Sequence, residues 1–174
     1  MIRPWLALAL VLAAPVSAEM IEPITPETAR AWSFLSDRVM GGVSTGAAAY
    51  AEEQGRGFLH LTGMVSTANR GGFVQMRRAV RLPPDAQGIV LSVRGDGQRY
   101  FVHLRSAATR PWQFHQAGFD TTPDWREIRI PLRDFQPRGG AAARLRPDAV
   151  DSLGIAAYGR EQRADIALAG VGFY

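Results

Sequence analysis

Short runs with apolar residues at every second position, cut apart by Gly, Pro and Asp, dominate this chain. A period of two sends alternate side chains to opposite faces, which suits half-buried strands and not the stripe of a packing helix. In "RYFVHLRS" (99–106), Tyr100, Val102 and Leu104 point one way and Phe101, His103 and Arg105 the other. The same rhythm predicts strands at 32–35, 47–50, 58–66, 72–80, 88–95, 112–119, 125–132, 152–159 and 164–174. That is about ten strands at the spacing of a sandwich or barrel. "RGDGQRY" (94–100) reads as a Gly-Asp-Gly hairpin turn between two of them. Helix is confined to short turns: Thr25 is a cap before Pro26 and Glu27, and 145–150 offers another. The Gly-, Ala- and Arg-rich stretch 134–150 is expected to be a mobile surface loop. The fold class that follows is all-β, a jelly-roll-like β-sandwich with few short helical turns.

Residues 1–18, "MIRPWLALALVLAAPVSA", carry one early Arg, an apolar run and a small-residue Val-Ser-Ala end. These are the parts of an export signal, and the apolar run is short of the ~20 residues that span a bilayer. The expected mature chain, 19–174, fits one domain with a core of its own and no membrane span. Its expected location is the periplasm or the exterior. With Cys 0, disulfides, thiol catalysis and cysteine metal sites are excluded. The formal charge is +4 and every basic residue is Arg. These arginines are interleaved with acids over the whole length, which argues against the basic stripe of a nucleic-acid binder.

Two polar loops stand out. In "SDRVMGGVS" (36–44), Gly41 and Gly42 permit backbone conformations that a Cβ resists, and Asp37 can accept N–H groups or pair with Arg38 or Arg70. "NRGGF" (69–73) repeats the device. Either the two loops brace one end of the sandwich, or Asp37, Arg38, Asn69 and Arg70 form a recognition site there. No helix or Lys follows the glycines, so a phosphate cradle is not expected. The three histidines, His60, His103 and His115, each sit mid-strand. On neighbouring strands they would share one polar face with Arg77, Arg105 and Gln113, a candidate groove. Their spacing does not suggest zinc. Nothing reads as a nucleophile elbow or a pair of catalytic carboxylates, so no enzyme, metal or cofactor is expected.

Five ordered segments resemble the complex I intermediate-associated protein 30 family: "W-x-F-L-S-D-R-V-M-G-G-V-S" (32–44), "G-M-V-S-T-A-N-R-G-G-F" (63–73), "R-G-D-G-Q-R-Y" (94–100), "W-R-E-I-R-I-P-L-R-D-F" (125–135) and "S-L-G-I" (152–155). The resemblance implies a galactose-binding-type sandwich, similar in fold to carbohydrate-binding modules. It also implies a non-enzymatic, chaperone-like role in assembling NADH:ubiquinone oxidoreductase, through a respiratory or membrane-associated protein partner. The fold analogy offers an alternative, a module for envelope saccharides using His103, Arg105 and Trp112, with Phe101 as a second aromatic. Trp32, Trp125 and Phe135 fall in the matching segments, and their size makes them expected core anchors.

Overall fold

Alternation in the sequence becomes alternation in space almost strand for strand. The structure is a computed structural model that describes residues 20–174; the segment read as an export signal lies outside the described residues. The described residues form twelve strands: β1 (Met20–Pro23), β2 (Trp32–Ser36), β3 (Thr45–Glu53), β4 (Arg56–Val65), β5 (Phe73–Ala79), β6 (Gly88–Gly95), β7 (Arg99–Ser106), β8 (Phe114–Asp120), β9 (Arg126–Pro131), β10 (Gln136–Arg138), β11 (Val150–Tyr158) and β12 (Gln162–Phe173). They make two six-stranded antiparallel sheets. The first has the order β3-β4-β12-β6-β9, with β1 also paired to β12, and the second is β10-β8-β7-β11-β5-β2. This is a jelly-roll-like β-sandwich.

The core fills the space between the sheets. From the second sheet come Val74, Met76, Tyr100, Val102, Leu104, Leu153 and Ile155; from the first come Leu59, Leu61, Ile89, Leu91, Ile166 and Leu168, all buried. In "IALAGVGF" (166–173) the apolar phase slips by one between Leu168 and Val171. The structure answers with a bulge: Leu168 pairs with Val93, and pairing resumes at Gly170 with Ser92. One extra residue keeps both Leu168 and Val171 inside. The carbonyl of Ala169, freed by the bulge, accepts from the Ile24 N–H at 2.8 Å.

Short helical elements appear where the caps predicted them. The turn at Pro26–Ala29 has a reciprocal box between Thr25 and Thr28, and Pro147–Ala149 forms a 3-10 turn. Three expectations change. "RGDGQRY" is not a hairpin, because β6 belongs to the first sheet and β7 to the second, so this turn carries the chain across the sandwich. The stretch 134–150 is partly ordered structure: Phe135 is buried, β10 extends β8, and Gln113 and His115 hold the carbonyls of Gly140 and Ala142. Trp32 and Phe135 are core residues, but Trp125 is not. It lies half-buried on the outer face of the first sheet, with Arg56 and Arg94 over its ring at 5.1 and 4.9 Å.

Tyr100 ties the sheets together at the crossing. Its hydroxyl donates to Asp96 Oδ1 at 3.0 Å and accepts from the Asp165 N–H of β12 at 2.7 Å. Burial, reinforced by the neighbouring acids, pushes this phenol well above its ordinary pKa. Tyr100→Phe keeps the packing but strips both bonds, and should cost about 1–2 kcal/mol in urea unfolding. An unchanged midpoint would remove the hydroxyl from the account of sheet closure.

Candidate functional site

The "SDRVMGGVS" loop folds around its own acid. Residues 37–40 make one 3-10 turn closed by Gly41 at φ 89, a left-handed conformation that glycine adopts without strain. This turns the Asp37 side chain inward, where it is fully buried. Oδ1 accepts from the Ser44 N–H at 2.9 Å. Oδ2 accepts from the Ser44 hydroxyl at 2.5 Å and from the N–H groups of Gly72 and Phe73 at 2.6 and 3.3 Å. Ser44 Oγ in turn accepts from Ser66 N–H at 2.9 Å. Burial alone would raise the Asp37 pKa, but these hydrogen bonds outweigh it and hold the carboxyl below its ordinary range. A Cβ at Gly42 or Gly71 would run into this carboxyl, which explains both glycines.

The neighbouring loop is held by contacts at the surface. Asn69 and Arg70 have φ of 56 and 59, an uncommon pair of left-handed non-glycine residues. The Asn69 amide donates to the Gly41 carbonyl at 3.2 Å. Glu161, from the β11–β12 turn, accepts from Thr67 N–H, Thr67 hydroxyl and Ser66 hydroxyl. These loops build one wall of a groove on the outer face of the second sheet.

That groove encloses about 650 Å³. Its floor comes from the outward positions of β5, β7 and β8: Phe73, Gln75 and Arg77, then His103 and Arg105, then Phe114, closed by Tyr158 of β11. β11 itself contributes Gly154 and Ala156 beneath them, and a Cβ at Gly154 would stand 2.9 Å from the side-chain oxygen of Gln75, which lies over it. Val39, Met40 and Trp112 stand on the rim with 68, 61 and 52% of their surface exposed. Two hollows prolong the trough along the same sheet face. One of about 450 Å³ shares Tyr158 and adds Arg99, Gln116, Arg138 and Arg160. The other, of about 350 Å³, shares Arg77 and Arg105 and adds Asp151 and Ser152.

His103 is the buried polar group of this floor. Its ring stacks on Phe114 with centroids 4.2 Å apart and meets Tyr158 edge-on at 5.2 Å. Nε2 is buried without a partner among the described residues. Burial, helped by Arg105, pulls its pKa down to about 3, so the ring is neutral at ordinary pH. The groove's charge is therefore that of Arg70, Arg77 and Arg105, and no carboxylate lines it.

The structure separates several residues that the sequence suggested together. Arg70, His103, Arg105 and Trp112 meet at the groove. Asp37 and Asn69 support its wall from behind, and Arg38 is exposed beside it. The three histidines do not share a face. His60 lies on the first sheet, its Nε2 2.7 Å from Asp165 Oδ1. His115 has the inward parity of Leu104, its register partner, and its Nε2 is 2.8 Å from the Ala142 carbonyl. Among the described residues no group of His, Cys, Asp and Glu is placed to hold a metal ion. The sequence reading missed Val39, Met40, Phe73, Gln75 and Tyr158; exposed aliphatics inside the singled-out loop were the available signal.

Comparison with known proteins places this architecture. The family model for complex I intermediate-associated protein 30 matches residues 23–169. The chain belongs to the complex I intermediate-associated protein 30 family. Among curated proteins none matches it. Solved structures similar to this family member include a family 11 carbohydrate-binding module of a Clostridium thermocellum cellulosomal cellulase, at TM-score 0.69 and 12% identity over 90% of this chain and 94% of that one. The family 11 module from Clostridium thermocellum bound to a β-1,3-1,4-mixed-linked tetrasaccharide gives 0.66 and 12% identity, over 82 and 88%. A family 30 module of another cellulosomal cellulase from Clostridium thermocellum gives 0.59 and 12%, over 83 and 91%. At these identities the likeness is one of fold.

Two expectations follow for this family member. Asp37→Asn would turn an amide N–H toward the donors of Gly72 and Phe73, and should lower unfolding stability by roughly 2–4 kcal/mol; a loss within error would contradict the brace. For His103, the unfolded ring titrates near 6.5 and the folded one near 3. The unfolded state thus takes up the proton first, so its contribution to stability is complete above about 6.5 and falls as the pH drops toward 3. Urea unfolding of His103→Phe should lack that dependence, by about 1.4 kcal/mol per pH unit between the two values. Parallel profiles for both proteins would contradict a neutral buried ring.

Proposed function

We propose that this chain is a non-catalytic accessory protein of its family, which grips a protein partner in the groove of the second sheet during assembly of a membrane-associated complex. The observation that carries this reading is the groove's make-up: exposed Val39, Met40 and Trp112 around an arginine-bearing floor. Trp, Met and Arg are the residues that enrich protein interfaces and carry their hot spots. Their joint exposure on one rim needs such an explanation more than scattered apolar residues do. The groove offers neither a carboxylate pair nor a nucleophile beside a base, and its histidine is buried and neutral, which supports binding without chemistry. The family's name supports NADH:ubiquinone oxidoreductase, a respiratory enzyme, as the complex served.

Export is part of the proposal. The signal-like residues 1–18 would deliver the mature chain to the periplasm or beyond, and among the described residues no helix is long and apolar enough to cross a membrane. The partner surface would then be the extracytoplasmic face of a membrane protein. A second reading, saccharide binding, draws on Trp112 and on the carbohydrate-binding modules that share the fold. Neutral sugars present hydroxyls that need acceptors as well as donors, and the charged groups lining this groove are arginines, which only donate, so its side-chain acceptors are limited to Gln75, His103 and Tyr158.

In-cell crosslinking of the tagged full chain, followed by fractionation, tests the reading. The expected outcome is one reproducible membrane-protein adduct in the extracytoplasmic fraction, lost in Met40→Asp and Trp112→Ala. Membranes of a deletion strain should hold less assembled NADH:ubiquinone oxidoreductase. An adduct indifferent to both substitutions, or binding on a glycan array with no protein adduct, would contradict it.

A further inference from the structure

The charged side chains that line the main groove are all arginines. Arg77 and Arg105 line both the main groove and the adjoining hollow. They stand on β5 and β7, the two strands that flank β11, and both point outward. Across β11, Arg77 is in register with Gly154 and Arg105 with Ser152. Two strand spacings and the two-residue offset along β11 separate the arginine backbones by roughly 12 Å, which two long side chains can bridge. Neither arginine makes an ion pair among the described residues; Arg105 donates only to the Arg110 carbonyl, at 3.0 Å. Between the two strands, the Ser152 hydroxyl is buried without a partner. Burial and the nearby Arg77 charge both lower the Arg105 pKa, while the exposed Asp151 at the end of the hollow acts in the opposite direction.

Two guanidinium groups side by side, with only the exposed Asp151 nearby and no ion pair made to it, leave room for an anion supplied from outside. The planar fork of Arg fits a carboxylate in bidentate fashion, and a serine hydroxyl can donate a further bond to it. We propose that Arg77, Arg105 and Ser152 form a carboxylate clamp for an acidic side chain of an extended partner segment. This rests on the reading that the groove takes a protein. An extended segment sends residues i and i+2 to one side, ~7 Å apart, so an acid in the clamp places an apolar neighbour against Val39, Met40 and Trp112. The rim favours a peptide over an acidic glycan: beside Trp112, aliphatic Val39 and Met40 present no flat surface for a sugar ring, but they suit a Leu or Phe side chain.

The test uses the mature chain and two fluorescent peptides, one alternating leucine with glutamate and one alternating leucine with glutamine, with oligoglucuronate as the glycan probe. Binding is read by anisotropy, or by calorimetry for the sugar, at low and at physiological salt. The glutamate peptide is expected to bind about tenfold or more tightly than its glutamine twin. Arg77→Gln and Arg105→Gln should each remove most of that difference, weakening the glutamate peptide far more than the glutamine one, whereas Arg133→Gln, at an exposed site that lines no part of the trough, changes neither. Trp112→Ala should weaken both peptides. Equal binding of the two peptides, still sensitive to Trp112→Ala, would overturn the clamp and leave the partner groove standing. Binding of oligoglucuronate with neither peptide bound would overturn the clamp and the groove's protein role together, and failure of all three probes would overturn the clamp. The wild-type comparison of the two peptides holds even if an arginine variant fails to fold.

Discussion

Everything at the groove end of this sandwich hangs on one carboxylate buried without a cation. Asp37 takes its compensation from N–H and O–H groups alone, supplied by Ser44, Gly72 and Phe73. Such donors are fixed in direction, so an acid held by them dictates the path of the chain that carries them. Two segments about thirty residues apart are thereby locked to each other, and Ser44 extends the lock to Ser66. The demands on neighbouring positions follow from packing alone: at Gly42 and Gly71 any side chain would displace the carboxyl.

That brace connects stability to the surface where a ligand would lie. Because Asp37 points inward, the residues just after it point out, and Val39 and Met40 become the rim of the trough. Gly72 and Phe73, which donate to the acid, open β5, whose outward side chains Gln75 and Arg77 make the floor. The first sheet is finished differently. Its outer face is closed by its own partners, with His60 on Asp165, Arg94 paired with Glu53, and Phe58 edge-on to Trp125. The first sheet still exposes Met64, but the cluster of exposed apolar side chains beside arginines that make no ion pair among the described residues lies on the second.

Strands, their facing residues and the two short caps were legible in the sequence because each depends on neighbours along the chain. Tyr100, Val102 and Leu104 fell on the core side as their period required. Parity says which residues of a strand share a face, but not which sheet the strand joins. For that reason the Gly-Asp-Gly turn passed for a hairpin, and His60, His103 and His115 looked capable of meeting when they occupy three separate places. Trp125 went astray for a related reason: large aromatic area argues for burial, and two arginines supplied it from outside the core. The Asp37 loop was visible as an oddity of sequence. Asp37 and Asn69 serve the brace, while Arg70 reaches the groove. What local pattern could not reveal was the trough, since Leu35, Gln75, His103, Trp112 and Tyr158 come together only once β11 lies between β5 and β7.

The most direct measurement is a map of backbone amide exchange on the chain, alone and with a crosslinked or co-purified protein bound. The account predicts new protection at residues 37–40, 70–77, 103–105 and 112–114, with β4, β12 and the Trp125 region unchanged. Protection centred on His60, Phe58 and Trp125, with the trough exchanging as before, would contradict it.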